Sequence, residues 1–256
     1  MSADDRSHVA VPILLIGLVD RPTQTFQAIA AKPRRLWLVP LTLLVLAVLF
    51  HTWATADLQT QLQADISQYW IEHGRFAEQM PPEAREEALA AIERQRQEGA
   101  SSGLLTLSLA AGIVGTMLGW VVWGAVLHYV AKLMGHEGSR FDVMFNVAAW
   151  AWIPLGIGLV VRGGFALVTG TLPVNEGLSF LVATGTYARD ALNPLFQLLN
   201  ALTLWQLASW WLLITGTAAV SGIPRRRWAG VVLGIWLLFA LLKLVPLMVQ
   251  RTLMGI

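Results

Sequence analysis

The side chains that could do chemistry in this chain are few, and their spacing limits what they can do. The histidines are His8, His51, His73, His128 and His136, and none sits in an HxxxH or HExxH pattern. His128 and His136 stand two turns apart near one helical face, with Glu137 as the local carboxylate. Metal ligation needs a closer set of donors, so no metal site is expected, and a histidine near a span end is more often an interfacial polar tip. With 0 cysteines, disulfides, thiolate metal sites and thiol catalysis are excluded. The apolar stretches hold neither Asp nor Glu, and neither a Gly-x-Ser-Gly nor a Gly-x-Gly-Asp arrangement. Without a base or nucleophile inside the membrane there is nothing to activate water, so no enzyme and no cofactor is expected.

Two cations lie nearest to membrane depth, Arg162 and Lys243. Intramembrane charges often mark function. The plainer alternative is snorkelling: Lys243 is about 10 Å from Gln250 at helical rise, and Gly163-Gly164 lets the chain bend beside Arg162. If the two helices adjoin, two unpaired cations need an anion between them. They are therefore a candidate anionic-ligand or lipid site. Asn200 and Gln206 need hydrogen-bond partners, as glue between helices or as the lining of a solute path. Ser108, Gly112, Gly115 and Gly119 follow a 4-3-4 spacing, and Gly230 and Gly234 add a second small-residue pair. Such a stripe lets a neighbouring backbone approach closely, within the chain or in a second copy.

Long apolar stretches must position these residues. Of the 256 residues 55% are hydrophobic and only 13% charged, and the mean hydropathy is +0.57. Soluble domains carry about 25% charged residues. The charges crowd into the first 35 residues, into 57–98 and into short clusters between apolar runs. A net charge of +2 is too small to argue for nucleic acid. Five spans are expected, at about 36–56, 104–134, 143–172, 195–220 and 228–249. Each can cross a hydrocarbon core of about 30 Å. None alternates as a strand would, so the expected fold class is all-α, a polytopic membrane helical bundle. The 12 tryptophans include interfacial candidates such as Trp37, Trp53, Trp70 and Trp228, and more central ones such as Trp120, Trp150 and Trp152, where packing bulk is the common use.

With the N-terminus inside, Lys and Arg in the loops divide ten inside to six outside, and the outside loop 57–102 carries nine acids. The positive-inside bias therefore places the N-terminus in the cytoplasm and the C-terminus outside, with Arg225, Arg226 and Arg227 as its sharpest marker. In loop 57–102, Leu58, Leu62, Ile66, Tyr69 and Trp70 recur at helical spacing, so the first span is expected to continue as an amphipathic helix beyond the membrane; Pro81-Pro82 break it, and Glu83, Glu86 and Glu87 open another. This predicts a short extramembrane helical hairpin, either a partner-docking element or a solvated connector.

Residues 1–35 form an N-terminal region ahead of the 36–256 membrane domain. Val9–Val19 is apolar but short of the roughly 20 residues a span needs, and lacks a cleavage site, so it reads as interfacial. Residues 22–33 form a proline-bounded amphipathic helix with Phe26 and Ile29 on one face. Followed by Lys32, Arg34 and Arg35, it can lie on anionic lipid. Together with Arg225, Arg226 and Arg227, these three are the candidate headgroup contacts.

The pattern Pro22-x-x-Thr25-Phe26-x-x-Ile29-x-x-x-Pro33, with Trp37 and Pro40-Leu41 opening the first span, resembles the start of bacterial Yip-domain proteins, relatives of the Ypt-interacting-protein family. Phe141, Phe145, Ala148-Ala149-Trp150 and Ile153-Pro154 are similar too, as are Ser221-Gly222, the basic turn and Trp228-Ala229. The resemblance implies five membrane helices, a cytoplasmic N-terminus, a bacterial inner membrane and no established catalysis, and it supplies no catalytic residue. The eukaryotic members act around Rab GTPases and have a long cytosolic N-terminal region for which no counterpart is expected here, so Rab-type partnering is not expected. The function expected is non-enzymatic organisation of membrane lipids or partner proteins. The partners expected are lipids, then another membrane protein or a second copy. The alternative is a small permease or channel for an anionic or small polar solute, with Arg162, Lys243, Asn200 and Gln206 along its path.

Overall fold

The computed structural model describes residues 11–32, 35–74, 80–99 and 102–254, and every regular element among them is helical. His8, Val9, Pro33 and Arg34 lie outside the described residues. Helix α1 spans Val11–Asp20 and α2 spans Pro22–Ala31. Pro22 separates them: it has no N–H to continue α1, and its fixed φ suits the first turn of α2. Then come α3, Leu38–His73; α4, Pro82–Glu98; α5, Ser102–Leu133; α6, Phe141–Ala151; and α7, Ile153–Thr169. A single 3-10 turn, Ser179–Leu181, and a short α8, Tyr187–Asp190, precede α9, Pro194–Asn200. Helix α10, Leu204–Ser221, and α11, Arg225–Met254, close the chain.

Leu38–His73, Leu105–Leu133, Phe141–Thr169 and Arg225–Val249 are long and apolar enough to cross a membrane. The pair α9 and α10 makes a fifth candidate, bent by 64°. The chain is a multi-pass helical bundle. Two boundaries differ from the sequence expectation, at the fourth and fifth spans. The first helix runs 36 residues, past Ala56, as the helical spacing of Leu58 to Trp70 predicts, with no breaker until Gly74. At 1.5 Å per residue that is about 54 Å, far more than a hydrocarbon core requires. The fourth stretch, expected as one helix over 195–220, is broken at residues 201–203. Thr203 is the reason: its Oγ1 accepts the Gln206 N–H at 3.2 Å, the geometry of an N-cap that starts a new helix. The last helix begins at Arg225 rather than Trp228, so the three arginines form its first turn.

The helices divide between two compact units. Unit 1 comprises Met1–Val45, Val114–Gly156 and Ala208–Gly234. Its central element is α6, where Val147, Ala148, Ala149, Trp150 and Ala151 are all buried. A run buried on every side suits a helix with neighbours all around, and small alanines let those neighbours come close. Phe145 lies at the middle of an aromatic group, its ring centroid 6.0 Å from Trp37, 6.2 Å from Trp120 and 5.9 Å from Phe141. Beyond the end of α6, Pro154 disturbs the helical bonding, and the Leu155 N–H turns to the Trp152 carbonyl. The Ala151 carbonyl, left without that N–H, accepts a short hydrogen bond from Ser209 Oγ of α10.

Unit 2 comprises Leu46–Ile113, Ile157–Leu207 and Ile235–Ile256. Here α4 lies along α3: Arg96 donates to Asp65 at 2.5 Å and to Gln68 at 2.8 Å, and Ala64 and Ile92 are buried. Gly163 of α7 faces Phe50 and Ala54 of α3, and Gly158 faces Trp205 of α10.

Candidate functional site

Two polar groupings carry the sequence candidates, one in each unit. In unit 1 the basic turn between α10 and α11 is built on a single hydroxyl. Ser221 Oγ donates to the Thr217 carbonyl at 2.6 Å and accepts from Trp228 Nε1 at 2.9 Å and from the Ile223 N–H at 3.2 Å. One donor and two acceptors exhaust what a hydroxyl offers. Gly222 turns the chain at φ +70, a conformation that costs glycine little, and Pro224 leads into α11. Trp228 is fully buried, while Arg225, Arg226 and Arg227 are exposed. Arg225 also donates to Thr23 Oγ1 of α2 at 2.8 Å, which ties the turn to the N-terminal helices.

Helix α2 uses its apolar face differently from the sequence expectation. Phe26 and Ile29 are both 0% exposed, so this face is covered by protein and not by lipid. The Phe26 ring and Val147 of α6 crowd around Gly216 of α10, which a Cβ there would strike at 2.8–3.0 Å. The pattern that marks an amphipathic helix does not say which apolar surface receives it. Helix α1 instead carries an outward stripe: Leu14 and Leu18 are buried, but Ile13, Ile16 and Val19 are 64%, 69% and 82% exposed. Lys32 and Arg35 are exposed in the same unit. Arg35 holds φ at +70, unusual for a non-glycine residue, and its carbonyl receives the Leu38 N–H where α3 starts. Arg34 lies outside the described residues.

In unit 2, Arg162 is not unpaired. Its guanidinium meets Glu176 at 2.5 Å, with the Glu176 side chain only 19% exposed. Glu176 stands in the segment after α7, outside the apolar stretches, where an acid carries no signal in the sequence. Asn200 is held close by: its Oδ1 accepts from the Glu176 N–H at 2.7 Å and from Ser179 Oγ at 3.1 Å. Burial pushes the Glu176 carboxyl above its ordinary range, against the pull of Arg162. The Tyr187 phenol is raised as well, by burial first and then by the Glu176 charge. Lys243 is exposed on α11, and Gln206 is half-buried in the first turn of α10.

The small-residue stripe divides. Gly112 meets Val48 of α3, and Gly119 meets the ring of Trp152. Ser108 and Gly115 are exposed. Gly230 and Gly234 have nothing within 4 Å of a Cβ position. The tightest backbone approach on α5 is at Gly124, where a Cβ would stand 2.9 Å from Phe145 Cα. Among the described residues no group of three or more His, Asp or Glu side chains is placed to hold a metal.

A family model for the Yip1 domain matches residues 16–245. No curated protein and no solved structure matches the chain. The matched stretch takes in α2 with its buried Phe26 and Ile29, the central α6, and the Ser221–Trp228 turn. With nearly its whole length inside one match, and with the apolar helices of a multi-pass membrane protein, this chain belongs to the Yip1 domain family.

Proposed function

We propose that this protein is a non-enzymatic organiser of the membrane, holding anionic lipid headgroups against a fixed basic face of unit 1. The observation that carries the reading is the basic turn. Three exposed arginines stand in the first turn of α11, where the helix dipole opposes positive charge. A phosphate-bearing headgroup offsets that opposition. The hydroxyl of Ser221 and the bond from Arg225 to Thr23 fix the turn in place. The outward stripe of α1, Ile13, Ile16 and Val19, supplies apolar contact in the same unit. Lys32, Arg34 and Arg35 extend the positive charge in the sequence.

In this reading the N-terminus and the basic turn face the cytoplasm, the C-terminus lies outside, and the home is a bacterial inner membrane. The excess of Lys and Arg in the inside loops supports that orientation. The permease alternative is the weaker one, because Arg162 and Asn200 are engaged with Glu176 and its backbone. Native mass spectrometry of the detergent-purified protein tests the proposal. Anionic lipid should be retained by the native chain and lost from the R225Q/R226Q/R227Q variant. Equal retention by both overturns the headgroup reading. A co-purifying protein lost with the same variant would move the role of this face to a protein partner.

A further inference from the structure

Residues 173–194 lie between the expected third and fourth spans and 195–203 open the fourth, and in the structure this whole stretch is tied together by hydrogen bonds. The Leu178 N–H bonds the Leu199 carbonyl at 3.0 Å, and Asn200 holds Glu176 and Ser179. Asp190, 2% exposed, accepts from the Thr184 N–H and hydroxyl, and Gln197 donates to the Ala191 carbonyl at 2.8 Å. Gly177 adopts φ +55, and a Cβ there would stand 2.6 Å from the Leu199 carbonyl oxygen. The side chains of Ser179, Asp190, Gln197 and Asn200 are thus bonded within the segment itself. Phe196 and Leu192 pack inward, but four of its apolar side chains are turned out: Leu178, Phe180, Leu181 and Leu195 are 42%, 61%, 64% and 52% exposed.

A segment held this firmly, with such a tip, needs an apolar solvent. Helix α10 alone has 18 residues, about 27 Å of helix, which nearly crosses a hydrocarbon core of about 30 Å. Helix α9 then need not span, and its 64° bend away from α10 turns it toward the membrane plane. The chain on either side continues the apolar surface, with Val168 88% and Leu204 70% exposed.

We propose that residues 173–203 form an in-plane collar whose tip, Phe180 and Leu181, is seated in the acyl-chain region at the membrane interface. The occupant is lipid. The polar network beneath, anchored through Glu176 to Arg162, sets the depth of the tip.

The chain has no cysteine, so single labels are unambiguous. Phe180→Cys, Leu181→Cys and, as a polar control, Arg189→Cys are each labelled with a nitroxide after reconstitution of the full chain in liposomes. All three sites are exposed, and circular dichroism checks the fold of each variant. The collar predicts that labels at 180 and 181 collide with oxygen and are shielded from a water-soluble nickel complex, while the label at 189 meets the nickel complex freely. Equal nickel access at 180, 181 and 189 overturns the proposal. So does spin–spin broadening at 180 that disappears on dilution with unlabelled protein, since the occupant would then be a second copy.

Discussion

Replacing Ser221 by alanine should loosen the basic turn by an amount the structure lets us work out. The buried indole N–H of Trp228, 2.9 Å from the Ser221 hydroxyl, loses its acceptor, and so does the Ile223 N–H at 3.2 Å. Trp228 is 0% exposed, so water does not reach the indole as a substitute. A buried donor left without a partner costs about 1–3 kcal/mol. The longer Ile223 bond belongs at the low end, and the two together come to about 2–4 kcal/mol. Trp228→Phe removes the indole donor along with part of the ring, so its cost is one of packing. The double variant should therefore cost less than the sum of the singles, with a coupling of about 1–2 kcal/mol. Thermal unfolding followed by circular dichroism, in one detergent throughout, measures all four corners of this cycle. A Ser221→Ala protein as stable as the native chain, or strictly additive singles, would refute the reasoning. If the latch also positions the arginines, Ser221→Ala should lower anionic-lipid retention with Arg225, Arg226 and Arg227 intact.

Three further outcomes follow from the same geometry. Gly124→Ala sets a methyl 2.9 Å from the Phe145 backbone and should destabilise by about 1–3 kcal/mol, whereas Gly115→Ala meets nothing and should be neutral or gain up to about 1 kcal/mol of helix propensity; the two melting temperatures decide. Gly115→Leu should leave the mass of the protein in micelles unchanged, and a fall to a smaller species would place a second copy on that stripe. Because burial raises the Glu176 pKa, the stability this group contributes is complete below the ordinary carboxylate pKa of 4.5 and declines as pH rises through the raised value. Glu176→Gln should then be at least as stable as the native chain at neutral pH and less pH-dependent; a native chain that gains stability relative to Glu176→Gln with rising pH shows that the attraction of Arg162 dominates instead.

The spans were legible because a run of about 20 apolar residues matches the thickness of a bilayer and greatly exceeds what a soluble core needs, and the extension of α3 followed from the spacing of Leu58 to Trp70. The break before α10 was also written in the chain. Thr203-Leu204-Trp205-Gln206 has the form of a capping box, but inside an apolar stretch the hydropathy hides it. The direction of the α2 face was not legible, since Phe26 and Ile29 at helical spacing suit a protein groove and a lipid surface equally. What settles it is a contact far away in sequence, at Gly216. The partner of Arg162 was hidden for a similar reason. Glu176 lies outside the spans, and a turn brings it back onto α7 from 14 residues further on. Of the glycines, the regular stripe on α5 is visible as a period, while Gly124, Gly158 and Gly216 make their close approaches singly and leave no period to read.

The central claim is that the basic face of unit 1 selects anionic headgroups, and lipid selectivity measured at the protein surface tests it most directly. The protein is reconstituted with trace spin-labelled anionic or zwitterionic lipid, and the motionally restricted fraction of each is compared. Each Lys or Arg near the surface contributes about 1 kcal/mol, so roughly fivefold preference per engaged arginine is expected at low salt. That preference should shrink with salt and with R225Q/R226Q/R227Q. Equal restriction of both lipids by the native protein at low salt would contradict the account.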